Sequence, residues 1–431
     1  VAPSVSADGR FVTFLSSASN LVAGDTNNAS DAFVYDQRSD RIERVSVDAA
    51  GNQTAGITQP PSISGDGRVI SVAGGNNNST GPSTTVNSLF PAERLRATDN
   101  GLLAVGSGAA TQLKATVTQH SASEVSEIVM IVADDALGSV NGNIPGGDGY
   151  VQAALSQAEV VLSALPGVGF SEFSPERLLD VTGGAFLQFA LIEGGSLSDF
   201  LQNGVGEVVF ATATANGDRQ PGLSLTDLAE NRLQLAFRSA EGDRYDRLTL
   251  DLTLGDVDRP EGMDGAQQGA GVIDLSGFSS PTVTVAMEVY REAKFDNSIG
   301  FYTLENAQGD VRDPLTGTVV SVGDAGYAAA AIANRLDLSV SGQNGEMTLY
   351  SAELQTGQML STFMVVQGTV DGLAADLGTA NAPTVYFAHL GANADGRDHV
   401  RLLGDYTFGY EDLVGAGDRD FNDVVVKLSF G

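Results

Sequence analysis

The chain has 431 residues, of which 54 are acidic and 23 are Lys or Arg, so its formal net charge is −31. This charge argues against nucleic acid as a partner, because phosphates require a basic surface, and equally against an anionic membrane surface. No apolar run approaches the roughly 20 residues that span a bilayer, so we expect no membrane insertion. Cysteine is absent, which excludes disulfides and thiolate-bound metals.

A short repeat marks the beginning of the chain. The motif "PSVSADGRFVTF" starts at Pro3 and "PSISGDGRVISV" starts at Pro61, and in both an Asp-Gly turn precedes β-branched or aromatic residues. The intervening "DAFVYD" and "RIERVSV" predict two further strands. This arrangement resembles TolB-like β-propeller repeats over residues 1–73, and the resemblance implies about one and a half blades. Since propellers typically have four or more blades, the other blades lie upstream or the segment packs on its neighbour.

A longer repeat follows a predicted linker. Residues 74–88, "GGNNNSTGPSTTVNS", are polar and aperiodic, which is typical of a linker. Beyond them, "VVFATATANGD" from Val208 matches "VYFAHLGANAD" from Val385, and "GYVQAAL" from Gly149 matches "GYAAAAI" from Gly326. Both offsets are 177 residues (385 − 208 and 326 − 149). The sequence therefore predicts two copies of one domain.

Most of each copy has the composition and alternation of β-strands, for example "EIVMIVA", "EVVFATA", "SIGFYTL" and "VVVKLSF". Residues 150–165 instead place apolar side chains at helical spacing, and "AAAAIANRL" has the same character. We predict a mainly β fold, in which tandem β-sandwich domains with one or two short helices each are preceded by a partial β-propeller-like segment. Copy 1 is placed at 89–262 and copy 2 at 263–431.

Acidic residues crowd into the segment before the final predicted strand, in "GYEDLVGAGDRDFNDVVVKLSFG". Carboxylates this close repel one another unless a cation lies among them, and calcium prefers six to eight oxygen ligands at about 2.3–2.6 Å. An EF-hand is excluded because the spacing after Asp-x-Asp-x-Asn is wrong, zinc and copper are disfavoured, and magnesium tolerates irregular cages poorly. We predict a calcium site with the ligands Glu411, Asp412, Asp418, Asp420, Asn422 and Asp423.

Two further loops carry oxygen ligands of the same kind. The loop "GANADGRDH" in copy 2 adds to the predicted site Asn393, Asp395 and Asp398. His399 follows them and is expected to buttress the loop. A weaker candidate is "GDTNNASDAF" near the N-terminus, with Asp25, Asn27 and Asp31, where an Asx-turn between strands explains the spacing as well. For the C-terminal cluster the alternative is a solvated hairpin made of turn and capping residues.

Copy 1 lacks the acidic cluster. It has Asp246 where copy 2 has Asn422, and Arg247 where copy 2 has Asp423. Its preceding loop, "FRSAEGDR", has no Glu-Asp pair. An Arg at a ligand position supplies positive charge in place of an ion. We therefore expect copy 1 to be a degenerate, metal-free copy of the domain.

Copy 2 resembles a family known as domain of unknown function 4114. The resemblance rests on "EAKFDNSIGFYTLE" (292–305), "VYFAHLGANADGRDHVRLLGDYTFGYEDL" (385–413) and "GAGDRDFNDVVVKL" (415–428). It covers nearly all of 285–431, whereas copy 1 is similar only through copy 2. The resemblance implies an extracellular β-domain with metal binding and no established reaction.

The sequence favours a protein that is not an enzyme. Its three histidines have no cysteine to pair with, and a G-x-S-x-G nucleophile motif is absent. The glycine-rich "GAGDRDFND" lacks the Lys of a phosphate-binding loop. The carboxylates are too contiguous for a glycosidase pair, and Trp, which often binds sugars, is absent.

Composition and resemblance together favour a secreted or cell-surface protein of a bacterium. The chain begins with Val rather than Met, so we expect an export signal upstream. The leading hypothesis is a non-catalytic structural or adhesion module stiffened by calcium, such as a subunit of a surface layer or filament. Its partners would then be copies of itself or other cell-surface proteins. The alternative is a calcium-dependent protein that binds carbohydrate or another surface ligand.

Overall fold

The computed structural model of the protein describes residues 3–7, 9, 11–22, 25–37, 41–47, 53, 57, 59–64, 69–74, 83–88, 95–106, 111–121, 125–165, 176–229, 231–238, 244–245, 247–255, 267, 269–415, 417 and 419–431. The chain divides into two compact units. Unit 1 comprises Val1–Arg94, Val105–Ala109 and Thr182–Gly184, and unit 2 comprises Leu95–Ala104, Ala110–Val181 and Ala185–Gly431. No helix within the described ranges is long and apolar enough to cross a membrane.

Unit 1 contains two antiparallel sheets. Its strands are β1 (Ser4–Val5), β2 (Phe11–Ser16), β3 (Asp31–Asp36), β4 (Arg41–Arg44), β5 (Ser62–Ile63), β6 (Val69–Gly74) and β7 (Ser83–Ser88). The strand order is β1-β2-β3-β4 in one sheet and β5-β6-β7 in the other. Phe11, Val34, Ile70 and Val72 belong to one buried apolar cluster. The two sheets therefore share a small core.

The structure differs from the predicted linker over residues 74–88. Residues 83–88 form β7, which pairs with β6 from Val69↔Ser88 to Gly74↔Ser83. The β-branched run Thr84-Thr85-Val86 favours a strand, and the Gly, Asn and Ser residues around it concealed this preference. These six residues are thus a strand and not part of a linker.

Unit 2 contains most of two successive sets of strands and helices, which we call module 1 (residues 95–255) and module 2 (residues 267–431); residues 105–109 and 182–184 of module 1 belong to unit 1. The elements of module 1 are β8 (Leu95–Ala97), β9 (Leu103–Val105), β10 (Thr111–His120), β11 (Ser126–Ala133), α1 (Tyr150–Ser156), β12 (Glu159–Ala164), β13 (Glu176–Val181), β14 (Phe186–Glu193), α2 (Leu197–Asn203), β15 (Glu207–Phe210), β16 (Leu223–Ala229), β17 (Arg232–Phe237) and β18 (Leu248–Gly255). A short 3-10 turn, Ala213–Ala215, lies between β15 and β16.

The elements of module 2 are β19 (Ile273–Asp274), β20 (Thr282–Arg291), β21 (Ser298–Leu304), β22 (Val311–Arg312), β23 (Val319–Val320), α3 (Tyr327–Ala333), β24 (Arg335–Val340), β25 (Met347–Gln355), β26 (Met359–Val365), α4 (Val370–Asp376), β27 (Val385–Phe387), β28 (Val400–Gly404), β29 (Thr407–Tyr410) and β30 (Val424–Phe430). A 3-10 turn, Leu390–Ala392, follows β27. The predicted mainly β fold with short helices in each half is confirmed.

The two modules have the same strand connectivity. One sheet of module 1 has the order β13-β10-β18-β17-β16, and its counterpart in module 2 has the order β25-β20-β30-β29-β28. The other sheet contains β12-β11-β14 with β15 on β14, and its counterpart contains β24-β21-β26 with β27 on β26. Among the described strands, no sheet mixes members of both modules.

Module 2 is layered as a sandwich with helices on one side. Val285 of β20 and Val426 of β30 are buried in the same cluster as Ile299 of β21 and Met364 of β26, so the two sheets enclose a common core. Alternate residues of the second sheet point the other way, where Phe363 packs with Tyr327 of α3 and other side chains of the two helices. In module 1, α1 covers β11 and β14 in the same manner.

The helix predicted over 150–165 is shorter in the structure. Helix α1 ends at Ser156, and residues 159–164 form β12. Val160 and Leu162 pair with β11, opposite Val129 and Ile128. Their β-branched and apolar character suits a sheet, so strand pairing overrides a spacing that also fits a helix.

Module 1 and module 2 meet at a contact that we call the joint. Its module 1 residues are Glu127, Val160, Arg177 and Ser196, and its module 2 residues are Asp398, Arg401 and Asp405. Arg177 is fully buried and donates to the carboxylate of Asp405 at 2.6 Å. The backbone of Asp405 donates in turn to the carbonyl of Glu176 at 2.8 Å. Val160 packs against the core of module 2.

Candidate metal centre

Three carboxylates come together where β29 ends and β30 begins. Tyr410, the last residue of β29, is paired with Val424, the first residue of β30. The residues just beyond this pair are Glu411, Asp412 and Asp423, and one oxygen from each lies within 4.8 Å of the other two. We call these three residues the carboxylate cluster. Glu411 and Asp412 are buried, and Asp423 is half-buried.

Hydrogen bonds fix part of the cluster. The backbone N–H of Asp412 donates to Asp423 Oδ2 at 2.7 Å, and the amide of Asn297 donates to Asp412 Oδ2 at 2.7 Å. Leu413 N–H lies 3.4 Å from Glu411 Oε1. These donors satisfy some of the carboxylate oxygens but do not neutralise the negative charge of the group.

The electrostatics of the cluster favour an added positive charge. Burial, together with the nearby carboxylates of Asp412 and Asp420, raises the pKa of Asp423 to about 7. Near neutral pH the group therefore holds a proton that a cation of suitable size can replace. The donors are all hard oxygens, which is the ligand chemistry of calcium and does not suit zinc or copper. The residues of the cluster fit a calcium ion.

The remaining predicted ligands of the C-terminal segment lie beside the cluster. Asp420 is close enough to affect Asp423, and its Oδ1 accepts from the backbone N–H of Asn422 at 3.3 Å. Arg419 and Phe421 have left-handed backbone conformations, with φ of 58° and 53°, which turn the chain sharply before β30. Asp418 lies outside the described residues.

Asn393 is not placed in the carboxylate cluster. Its Oδ1 accepts from Phe387 N–H at 2.7 Å, and its Nδ2 donates to the carbonyls of Phe387 and Arg397 at 3.1 and 2.9 Å. The side chain thus closes the loop after β27. Its predicted role as a calcium ligand stays a prediction, and its amide oxygen and nitrogen are hydrogen-bonded to the backbone.

Asp395 and Asp398 also serve other contacts. Asp395 Oδ2 lies 2.9 Å from His399 Nε2 and accepts from Gly415 N–H at 2.9 Å. The Asp398 carboxylate accepts from the hydroxyl of Ser196 in module 1 and lies 3.9 Å from Arg401. Both carboxylates hold loops in place, and their role as calcium ligands stays a prediction.

His399 connects the loop after β27 to the carboxylate cluster. Its Nδ1 is 2.7 Å from the carbonyl oxygen of Glu411, and its ring stacks on Tyr386 with centroids 3.4 Å apart. The histidine is completely buried. It thus connects Glu411, the first residue of the cluster, to the loop that contains Asp395.

The weaker N-terminal candidate has a structural explanation in unit 1. Asp25 accepts from the amide of Gln53 at 3.0 Å and lies 3.7 Å from Arg44. Asn27 accepts from Ala29 N–H at 3.0 Å, which is an Asx-turn. Asp31 accepts from the hydroxyl of Ser46 at 2.5 Å. A calcium site at these three residues stays a prediction.

Module 1 has arginines at the corresponding positions. Arg238 follows Phe237 at the end of β17 as Glu411 follows Tyr410 at the end of β29. Its guanidinium donates to Asp218 at 2.7 Å and to the carbonyl of Pro221 at 2.9 Å. Arg247, which precedes β18 as Asp423 precedes β30, donates to Glu193 at 2.9 Å. Sequence comparison identified Arg247 but missed Arg238.

A cleft of about 340 Å³ lies beside the joint. Its lining includes Ser198, Gln308, His389, Asp398 and Arg401. A Cβ at Gly271 or Gly309 would lie 2.4 or 2.5 Å from His389 Cε1, so only glycine fits on either side of this ring. Burial lowers the pKa of His389 to about 4, which keeps the imidazole neutral. The cleft therefore presents polar groups of low net charge.

No curated protein and no solved structure matches the chain. The scan of protein families matched part of module 2, from the end of β25 to the C-terminus, and this part contains the whole carboxylate cluster. The match is shorter than the resemblance over 285–431 that the sequence indicates. Residues 354–431 are thus similar to the family described as domain of unknown function (DUF4114).

Proposed function

We propose that the protein is a non-catalytic, extracellular or cell-surface module of a bacterium, structural or adhesive in role, and stiffened by calcium. The observation that supports this most is the carboxylate cluster: three carboxylates within 4.8 Å, with the pKa of Asp423 raised by burial and repulsion. Glu411, Asp412 and Asp423 would hold the ion. When bound, calcium supplies positive charge between the end of β29 and the start of β30.

Stiffening is expected because the ligands lie next to the ends of two different strands. Glu411 and Asp412 follow β29, whereas Asp423 precedes β30. An ion shared between them closes the ten-residue connection, residues 413–422, without any new side-chain packing. A ligand that binds only the folded state adds RT ln(1 + [L]/Kd), or about 2.7 kcal/mol at 100-fold excess over Kd.

Isothermal titration calorimetry of the full chain tests the calcium site. We expect one calcium to bind with Kd of roughly 10⁻⁴–10⁻³ M, as in other extracellular modules, and magnesium to bind more weakly. Asp423→Asn should abolish the heat of binding. Asp371→Asn is the matched control, because this carboxylate is almost fully exposed and lies outside the cluster. Unchanged binding by Asp423→Asn would refute the site.

We further propose that modules 1 and 2 are copies of one ancestral domain, of which module 1 has lost the metal. Their sheet orders agree, and their helices α1 and α3 start 177 residues apart (327 − 150). The four-stranded and three-stranded sheets of unit 1 are compatible with propeller blades, whose sheets have four strands. With module 1 metal-free, the titration should give a stoichiometry of one calcium per chain and not two.

Self-association is the expected use of such a chain. A net charge of −31 repels like chains, so assembly should require divalent cations or salt. Light scattering with increasing calcium is the direct measurement. A monomer that persists at millimolar calcium would count against a layer or filament.

A second candidate function is calcium-dependent binding of carbohydrate. The cleft beside the joint favours it, because Ser198, Gln308 and a neutral His389 can exchange hydrogen bonds with hydroxyl groups. A glycan array probed with and without calcium distinguishes the two functions. Calcium-dependent binding to a defined glycan would replace the structural proposal.

A further inference from the structure

The carboxylate cluster is connected to the joint through Phe421 and Arg401. Phe421 is buried two residues before Asp423, and the guanidinium carbon of Arg401 lies 4.7 Å from the centre of its ring. Arg401 Nη1 donates to Glu127 Oε2 in module 1 at 3.2 Å. All three side chains are at most 5% exposed, so a shift in one displaces the next.

A second connection runs through His399. The backbone N–H of Glu411 donates to the carbonyl of His399 at 3.0 Å, in addition to the contact at the imidazole. The preceding residue, Asp398, accepts a hydrogen bond from Ser196 of module 1. Nearby, Arg419 Nη1 lies 3.4 Å from the carbonyl oxygen of Gly194. Residues on both sides of the cluster therefore contact module 1.

Module 1 holds its side of the joint independently of module 2. Glu127 accepts from the backbone of Leu197 at 2.7 Å and from the hydroxyl of Ser163 at 2.9 Å. The Glu127 carboxylate is consequently held in position by module 1 alone, without its contact to Arg401. Because a buried ion pair is stabilising only in good geometry, the position of Arg401 decides the strength of this contact.

We propose that cation binding at the carboxylate cluster and closure of the joint are thermodynamically coupled, with Phe421 and Arg401 as the positioning residues between them. This inference rests on the calcium site proposed above. A cation removes the repulsion that pushes the 411–423 segment apart, and so holds Phe421 beneath Arg401. Coupling between two sites is reciprocal: if calcium favours closure of the joint by some factor, closure of the joint increases the calcium affinity by the same factor. A substitution in module 1 that opens the joint should therefore weaken calcium binding.

Calorimetric titration of calcium into the full-length Glu127→Gln variant tests this reciprocity. Glu127 belongs to the other module and is hydrogen-bonded to Arg401, Leu197 and Ser163, so we expect an effect on calcium to pass through the joint. We expect Kd for calcium to rise about five-fold, within the usual range of coupling between sites. Asp218→Asn is the control: it removes one negative charge from module 1, but its partner Arg238 lies away from the joint.

The possible results separate the two proposals. If wild type, Glu127→Gln and Asp218→Asn bind calcium equally, the coupling is refuted and the calcium site stands. If the wild type binds no calcium, both proposals are refuted. If both variants lose affinity equally, the effect is one of net charge, and the coupling is again refuted.

Hydrogen exchange on the wild type gives a measurement that does not depend on the folding of a variant. We expect the amides of β12, Glu159–Ala164, which lie across the joint from the cluster, to exchange several-fold more slowly with calcium than with EGTA. Protection confined to residues near 411–423 would refute the coupling.

Discussion

Asn216 and Asn393, 177 residues apart (393 − 216), make the same hydrogen bonds in the two modules. Asn216 Oδ1 accepts from Phe210 N–H at 2.8 Å, and Asn393 Oδ1 accepts from Phe387 N–H at 2.7 Å. Each Nδ2 donates back to the carbonyl of the same phenylalanine. The repeated "ANGD" and "ANAD" motifs are explained by this closure of the loop.

We therefore expect Asn393→Ala to reduce stability without affecting calcium. The substitution leaves backbone groups of Phe387 and Arg397 without their partners, at a cost of roughly 2 to 4 kcal/mol in the free energy of unfolding. Chemical denaturation measures the loss, and calorimetry should show an unchanged Kd. Asn216→Ala is the matched variant and should cost a similar amount. If Asn393→Ala loses calcium binding and Asn216→Ala does not, Asn393 is a calcium ligand.

Removing Asp405 should weaken the joint. Within the described part of the chain, Asp405→Ala leaves the fully buried Arg177 with only Glu159 at 3.5 Å as a charged partner. Removing one partner of a buried pair costs about 3 kcal/mol, because the other charge stays buried. Asp371→Ala is the control, since its pair with Arg335 is solvent-exposed and should contribute less than about 0.5 kcal/mol. Equal small effects in both variants would show that the Arg177–Asp405 pair contributes little to the free energy of unfolding.

Calcium binding should depend on pH through Asp423. Its raised pKa of about 7 means that a proton competes with the ion below that pH. We expect the calcium affinity to increase with pH up to about 7, by at most about tenfold per pH unit, and to level off above it. Calorimetry in buffers of different ionisation enthalpy measures the released proton. An affinity independent of pH from about 5 to 8 would contradict the raised pKa.

Asp398→Asn should stabilise the protein at neutral pH. Burial raises the pKa of Asp398 to about 6 from an ordinary value of 3.8, so ionising it costs stability as the pH rises through this interval. Asn imitates the protonated form. Because each pKa unit corresponds to about 1.4 kcal/mol, we expect a gain of roughly 2 to 3 kcal/mol above pH 6 and none below pH 4.

Asp218→Asn provides the control of opposite sign for that experiment. A hydrogen bond from the backbone of Gln220, with help from Arg238, lowers the pKa of Asp218. A lowered pKa contributes stability at neutral pH that is lost as the pH falls. This variant should therefore lose stability at neutral pH and match the wild type in acid. Parallel pH profiles for the two variants would contradict both assignments.

Sequence patterns predicted the fold, whereas the calcium ligands stay a prediction. Strand alternation and the 177-residue offset are properties of many residues. A wrong assignment at a single position such as Val160 therefore does not change the predicted fold. Side-chain oxygens of Asn and Asp, by contrast, bind cations and close loops equally well, and spacing does not distinguish the two uses. Glu411, Asp412 and Asp423 come together because they flank a strand pair, whereas the side chain of Asn393 is hydrogen-bonded to the backbone of Phe387 and Arg397.

The joint was beyond the reach of sequence reasoning. Glu127 and Arg401 are separated by 274 residues, and the sequence patterns that contain them do not indicate that they pair. A single buried ion pair has no periodicity that would reveal it. The burial of Arg177 could not be predicted either, because a charged residue in a strand is ordinarily expected on the solvent face.

The burial of β28 bears on how the protein avoids aggregation. All five residues of β28 are buried, although it is the outermost strand of its sheet. The corresponding strand of module 1, β16, ends in four exposed residues, Thr226 to Ala229. An uncovered edge strand offers unpaired backbone groups to any neighbouring chain. Strand β12 of module 1 lies against β28. We therefore expect proteolysis that separates the two modules to expose this edge strand and to promote association between chains.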